Sequence, residues 1–319
     1  MSSTEQKTPK SLSTPEEYGK ILDGYDTWLF DCDGVLWSGD DLIEGSKEVI
    51  NRLRKSGKRV IFVTNNASKS RKAIKKKFDQ LGYEAKEEDI VSSSFAASIY
   101  LRDVLKFPKD RKVYVIGMHG IEEELDEAGI LHCGGTNPED NQFLPPNDFS
   151  SLRNEQAIDP SVGAVMCGFD MHLNYTKLCK AFKHITRKGA EGPVVEGERG
   201  GGCHFILTND DSTFPAGGGP WPGAGSLSAP LLFSSGRKPI IVGKPNQPML
   251  DTIKEHYHID EKRTIFVGDR LNTDIAFANN GNIDSLLVLT GISTEEDIKK
   301  ENIYPTYIME SLGCLNEAK

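Results

Sequence analysis

Trp28-Leu29-Phe30-Asp31-Cys32-Asp33-Gly34 is the stretch on which the reading of this chain turns. Three large apolar residues in a row read as a strand buried inside a covered sheet. A carboxylate at the carboxyl end of such a strand is delivered to the crevice where open α/β sheets hold their ligands. Asp31 can attack phosphorus and form an acyl phosphate, which splits phosphoryl transfer into two easier steps. Asp33 can protonate the leaving oxygen and then deprotonate the attacking water, and Gly34 permits a tight turn there. The competing reading is a plain turn or a calcium loop. An EF-hand loop needs the longer Asp-x-Asp-x-Asp-Gly pattern with a distant Glu, which is absent.

The bulk composition narrows the classes. A chain of 319 residues, 37% hydrophobic, has room for two domains with cores of their own. A net charge of -9 argues against a nucleic-acid partner, whose binding is driven by clustered Lys and Arg. No apolar run approaches the roughly 20 residues that span a bilayer, so no membrane partner is expected. Residues 1–15 are rich in Ser, Thr, Lys and Glu, which predicts a disordered tail (1–18) rather than a signal peptide. Cys32, Cys133, Cys167, Cys179, Cys203 and Cys314 form no Cys-x-x-Cys pair. Reduced thiols and a cytoplasmic location follow, with the nucleus left open.

Apolar runs alternate with amphipathic segments, the pattern of a mostly parallel sheet with helices on both faces. Strands are predicted at 27–30, 59–63, 113–116, 164–167, 204–207, 264–267 and 285–289. A helix over 46–56 places Val49, Ile50 and Leu53 on one face, with Gly57 as a left-handed stop. A second helix, 70–81, ends at Gly82 in the same way. Its Lys72, Lys75, Lys76 and Lys77 read as a solvated face in preference to an anion site. Residues 137–158 read as loop and 189–202 as a flexible surface loop. The Gly- and Pro-rich 216–225 reads as a hinge between domains.

Two carboxylates facing a phosphate dianion repel it, so the chemistry needs a cation. Gly268-Asp269-Arg270-Leu271-Asn272-Thr273-Asp274 follows another apolar strand, and Asp269 is placed as a third oxygen ligand suited to Mg²⁺. Asp274 reads either as a residue orienting water or Lys behind the metal, or as a carboxylate at a helix N-terminus. Thr64-Asn65-Asn66 ends the strand 59–63. Its hydroxyl and N–H groups could hold phosphoryl oxygens, or the three residues could be an N-cap cluster. Lys244, after Ile240-Ile241-Val242, can neutralise phosphate and nucleophile together, the alternative being a surface lysine in a turn. Each fragment ends a predicted strand and each supplies a different part of a phosphoryl-transfer site.

In this order, Asp31-Cys32-Asp33-Gly34-Val35-Leu36-Trp37, Val63-Thr64-Asn65-Asn66, Gly243-Lys244-Pro245 and Val267 to Asp274 resemble the four motifs of the haloacid dehalogenase superfamily. The likeness is greatest to its 4-nitrophenylphosphatase/phosphoglycolate phosphatase branch. It runs from about Tyr25 to near the C-terminus and includes Gly168-Phe169-Asp170 and Thr208-Asn209-Asp210-Asp211. The resemblance implies a Rossmann-like core, 19–106 and 217–319, with an inserted α/β C2-type cap, 107–216. It implies Asp31 as nucleophile and Asp33 as acid and base. Mg²⁺ would be held by the Asp31 side chain, the Asp33 carbonyl and Asp269, and phosphate by Thr64, Asn65, Asn66 and Lys244.

A cap loop matching 168–175 makes His172 a specificity candidate, an exposed loop histidine being the alternative. Homodimers through the cap belong to the same expectation. The implied activity is hydrolysis of a small phosphorylated metabolite of the 2-phosphoglycolate type, with 4-nitrophenyl phosphate as an artificial substrate. Pyridoxal 5′-phosphate or protein phosphatase activity is the alternative within the branch; a phosphotransferase and a non-catalytic binding protein rank below it. Two departures stand out: 189–202 is longer and richer in Gly than expected, and Pro230 falls inside the helix predicted over 226–234.

Overall fold

Trp28, Leu29 and Phe30 have no exposed surface, because their strand, Thr27–Phe30, lies at the interior of a seven-stranded sheet. The computed structural model describes residues 8–142, 158–198, 200–216 and 219–319. Across the sheet the strands run Lys10–Ser11, Tyr307–Met309, Asp284–Val288, Thr264–Gly268, Thr27–Phe30, Arg59–Thr64, Ile90–Ser92. Neighbours pair in parallel from Lys10–Ser11 through to Arg59–Thr64. From Thr27–Phe30 the chain first builds outward through Arg59–Thr64 and later returns to the opposite side at Thr264–Gly268. That reversal of direction is the switch point at which doubly wound sheets bind ligands, and Asp31 sits on it.

Helices fill the crossovers as the sequence dictates. Ser46–Lys55 buries Val49, Ile50 and Leu53, and Gly57 follows with φ +74°. Arg71–Leu81 is followed by Gly82 at φ +76°. Lys72 and Lys76 are exposed, Lys75 pairs with Asp79, and Lys77 lies against Trp37, so most of that basic face is solvated or locally used.

The chain divides into two compact units. The first takes the described residues of Met1–Thr64, Lys75–Val91 and Lys244–Lys319; the second takes Asn65–Ile74 and Ser92–Gly243. The second unit has its own sheet, in the order Ile240–Ile241, His204–Leu207, Val162–Cys167, Lys112–Ile116, His132–Gly134, again parallel. Its core gathers Tyr114, Val165, Ile185, Phe205 and Leu231. This unit extends beyond the expected 107–216: Ala224–Ser235 and Ile240–Ile241 belong to it, because Ile206 and Leu207 pair with Ile240 and Ile241.

Several expectations need correction. Of the predicted tail 1–18, residues 1–7 lie outside the described residues, but Lys10–Ser11 pairs with Tyr307 and Ile308 at the sheet edge. Thr14 then caps the helix Pro15–Gly24 by accepting from the Glu17 N–H, with Pro15 in the first turn, where its missing N–H costs nothing. The predicted hinge 216–225 is instead half of an antiparallel hairpin, Thr213–Ala216 with Gly219–Pro222, running into the helix Ala224–Ser235. That helix carries Pro230 inside it, at an exposed position.

Within the predicted loop 137–158, Pro138–Asn141 forms a helical turn, and 143–157 lie outside the described residues. The Gly-rich 189–202 is tethered. Arg187 donates to the Gly201 and Gly202 carbonyls, Cys203 N–H to Ala190, and a Cβ at Gly202 would lie 2.3 Å from the Gly192 carbonyl oxygen. Among the described residues no helix is long and apolar enough to cross a membrane.

Candidate active site

Register places the candidate residues. Phe30 pairs with Phe62 on one side and Val267 on the other, so the three strands end together. Asp31 emerges from the middle strand, Thr64 closes Arg59–Thr64, and Asp269 follows Thr264–Gly268. The Asp31 N–H still donates to the Val267 carbonyl at 2.9 Å, which fixes its backbone before the chain turns away.

The Lys244 ammonium joins these ends. It is buried (2% exposed) and donates to Asp31 Oδ1 at 2.6 Å, Asp274 Oδ1 at 2.7 Å and the Val63 carbonyl at 3.0 Å. Burial pulls its pKa down, but the Asp274 and Asp31 carboxylates outweigh that and hold it above lysine's ordinary value. Burial pushes the Asp31 carboxyl well above the usual range; Lys244 opposes the shift, and the Asp274 and Asp269 carboxylates add to it. The surface-lysine reading of Lys244 is therefore set aside.

Asp274 bonds both to Lys244 and to the backbone at the start of the following turn. Its Oδ1 receives Lys244, and its Oδ2 accepts the N–H groups of Asp269 and Arg270, at 3.2 and 3.1 Å, where the turn Leu271–Ile275 begins. A Cβ at Gly268 would lie 2.2 Å from the Asp274 Cβ, so that approach requires glycine. Asp269 is walled in as closely. Its Oδ2 accepts the Ile292 N–H at 2.8 Å, and a Cβ at Gly291 or Gly34 would come within 1.8 or 2.5 Å of it. Burial, with the Asp274 carboxylate beside it, pushes the Asp269 carboxyl up to about 7.

Carboxylate oxygens of Asp31, Asp269 and Asp274 all lie within 4.8 Å of one another. Hard oxygen donors packed this tightly repel unless a cation joins them, and such a set fits Mg²⁺, which takes one or two carboxylates and keeps waters. Asp274 already has hydrogen bonds at both oxygens, so Asp31 and Asp269 are the better placed donors.

Asp33 is half-buried and immediately precedes the turn at Gly34, whose φ of +83° explains the glycine. Its Oδ1 accepts the Trp37 indole N–H at 2.9 Å, a contact the sequence reading did not foresee.

The remaining predicted residues belong to the second unit. Asn65 donates its side-chain amide to Asp211 Oδ2 at 3.0 Å, and its carbonyl accepts from Ser93 and Asn209. Asn66 Oδ1 accepts the Ser68 N–H and hydroxyl, a turn within the loop; the helix Arg71–Leu81 is capped by Ser70, whose Oγ accepts the Ala73 N–H at 3.2 Å. His172 is exposed, on a turn held by its own N–H to Asp170 Oδ1. Asp170 is in turn locked by Lys177 at 2.7 Å, both side chains being 1% exposed.

The haloacid dehalogenase-like hydrolase family profile matches residues 28–131, and a second profile, described as HAD-hydrolase-like, matches 241–315. A 4-nitrophenylphosphatase of Schizosaccharomyces pombe is 46% identical over 97% of this chain and 99% of its own length. A chloroplastic phosphoglycolate phosphatase of Arabidopsis thaliana is 42% identical over 90% of this chain and 75% of its own. Among solved structures, a glycerol phosphate phosphatase of Mycobacterium tuberculosis in complex with magnesium superposes with a TM-score of 0.73. It has 27% identity and covers 92% of this chain and 77% of its own.

Proposed function

The chain belongs to the haloacid dehalogenase-like hydrolases, and from that premise we propose a Mg²⁺-dependent phosphatase that cleaves small phosphomonoesters through an aspartyl-phosphate at Asp31. It is a phosphatase of that family; the covalent route, the metal and the substrate are the proposal. The observation that carries it is the buried Lys244 ammonium, shared between Asp31 Oδ1 and Asp274 Oδ1. A lysine so held fixes the orientation of the nucleophile and keeps a positive charge where the phosphoryl group must arrive.

In the first step an Asp31 carboxylate oxygen bonds to phosphorus while the ester P–O bond breaks, and Asp33 gives its proton to the departing oxygen. In the second, a water loses its proton to Asp33 as its oxygen bonds to phosphorus, and the Asp31 carboxylate leaves with its electron pair. The Thr64 hydroxyl and Lys244 hold the phosphoryl oxygens through both steps. The Asp31 side chain, the Asp33 carbonyl and Asp269 would hold Mg²⁺, which when bound supplies the charge that offsets repulsion between dianion and carboxylates. The M. tuberculosis relative, solved with magnesium, supports that choice of ion.

The names of the relatives favour 2-phosphoglycolate-type metabolites as substrates and 4-nitrophenyl phosphate as an artificial one. Pyridoxal 5′-phosphate or a phosphoprotein is the second reading. His172, on its anchored and exposed turn, is proposed to take part in selecting the leaving group. A cytoplasmic enzyme, homodimeric through its cap, completes the reading. Phosphate release from a panel of phosphorylated metabolites, with and without Mg²⁺, tests it. Activity that ignores Mg²⁺, or no release from any small phosphomonoester, counts against it.

A further inference from the structure

Taking Asp33 as the acid and base of that mechanism, we propose that Trp37 is a positioning residue that selects which oxygen of Asp33 carries the transferred proton. Among the described residues, the hydrogen bond from the Trp37 indole to Oδ1, at 2.9 Å, is the only one made to the Asp33 carboxyl group. The other acidic groups of the site are held differently: Asp31 by Lys244, Asp269 by a backbone N–H, and Asp274 by both. An indole N–H donates and cannot accept. In a protonated carboxyl the carbonyl oxygen is the stronger acceptor, so with the indole N–H on Oδ1 the proton resides on Oδ2, and one carboxyl orientation is maintained through both half-reactions.

Trp37 is itself held from several sides. Its carbonyl accepts the Gly34 N–H at 2.7 Å, and its N–H reaches the Cys32 carbonyl at 3.3 Å. Its ring, 2% exposed, meets Phe78 edge-on at 4.9 Å and Tyr83 at 6.2 Å. Lys77 Nζ lies 4.5 Å from the ring centroid and donates to the Gly39 carbonyl at 2.8 Å, closing the hairpin that Trp37 opens. A cation over the ring draws electron density from it, which strengthens the N–H as a donor. Packing alone does not demand that N–H. The equally buried Trp28 indole has no hydrogen-bond partner among the described residues.

The test is Trp37→Phe, which keeps a ring against Phe78 and Tyr83 and deletes only the donor side of the indole. A 4-nitrophenolate leaves as a stable anion, whereas an alkoxide needs the proton. Trp37→Phe should therefore lower kcat/KM about tenfold on an alkyl phosphate such as 2-phosphoglycolate and leave 4-nitrophenyl phosphate within about threefold, a fraction of what general acid catalysis supplies. Equal losses on both substrates, or no loss on either, overturn the proposal.

Asp33→Asn checks the reading beneath it. If that variant shows no bias between the two leaving groups, the acid assignment fails and the role of Trp37 goes with it; if it shows the bias and Trp37→Phe does not, Trp37 alone is misassigned. Should Trp37→Phe not fold, the indole N–H proton resonances of the wild type decide. The Trp37 signal should move on Asp33→Asn while that of Trp28 stays, and an unmoved Trp37 signal refutes the contact.

Discussion

Replacing Lys244 by Met removes an ammonium and leaves a chain of similar length. In the metal-free protein three acceptors lose their donor: Asp31 Oδ1, Asp274 Oδ1 and the Val63 carbonyl, formerly at 2.6, 2.7 and 3.0 Å. All three bonds are charge-assisted, two of them with a charged acceptor as well, and hydrogen bonds to charged groups contribute about 1.5–3 kcal/mol each. Breaking a buried ion pair from one side costs about 3–5 kcal/mol, because the partner charge stays behind. The expected loss at pH 7.5 is therefore about 3–5 kcal/mol, read as a lower urea midpoint with the slope unchanged.

The sign of the pH effect follows from the carboxylates. Without Lys244 nothing opposes the burial that pushes the Asp31 carboxyl up, so Asp31 takes up a proton and the penalty shrinks as the pH is lowered toward 5. Lys244→Met combined with Asp274→Asn should recover part of the loss, since the second change removes one stranded charge. A destabilisation below about 1 kcal/mol at pH 7.5, or one equal at both pH values, would refute the reasoning that this lysine neutralises a buried acidic cluster.

Other outcomes follow from the same geometry. Asp269, pushed up to about 7 by burial and by Asp274, binds more protons in the folded than in the unfolded chain between its ordinary value of 3.8 and that point. Metal-free stability should therefore fall as pH rises through that window, by about 1.4 kcal/mol per unit at most for this one group. Added Mg²⁺ should raise the Tm more at pH 8 than at pH 5. In EDTA the wild type should lose more Tm from pH 5 to 7 than Asp269→Asn, a comparison that cancels the opposite contribution of the buried His184 and His204; an equal change in both proteins contradicts this. Gly291→Ala would set a Cβ 1.8 Å from Asp269 Oδ2 and must displace that carboxylate. It should cost roughly 10–100-fold in Mg²⁺ affinity or kcat/KM, with the fold retained by circular dichroism. Parameters within about threefold of wild type would show that Asp269 is not held for the metal.

The parts of the fold most legible in the sequence were those whose burial is two-sided. Trp28-Leu29-Phe30 and Ile265-Phe266-Val267 are continuous apolar runs because both faces of their strands are covered, so strand and site could be read together. Short or proline-bearing strands escaped for physical reasons. Lys10–Ser11 is exposed and has no apolar pattern, and Thr213–Ala216 and Gly219–Pro222 carry Pro215, Pro220 and Pro222, residues with no N–H to offer a ladder. Ile240–Ile241 stands three residues before Lys244 and so read as part of the core, although its pairing to His204–Leu207 assigns it to the second unit. Within the site, residue types and order were legible. The contacts that orient them, Trp37 on Asp33 and Ile292 N–H on Asp269, were not, because an indole four residues on and a backbone group at a distant loop leave no mark in a motif.

The central claim is that Asp31 carries the phosphoryl group. Enzyme turning over substrate with Mg²⁺ can be quenched in acid and treated with borohydride, which reduces an acyl phosphate to the alcohol and leaves homoserine at that position. Peptide mass spectrometry should find that change at residue 31 in the wild type, only when substrate is present, and not in an inactive Asp31→Asn variant. Turnover with no modification at Asp31, or with the label on another carboxylate, would contradict the account.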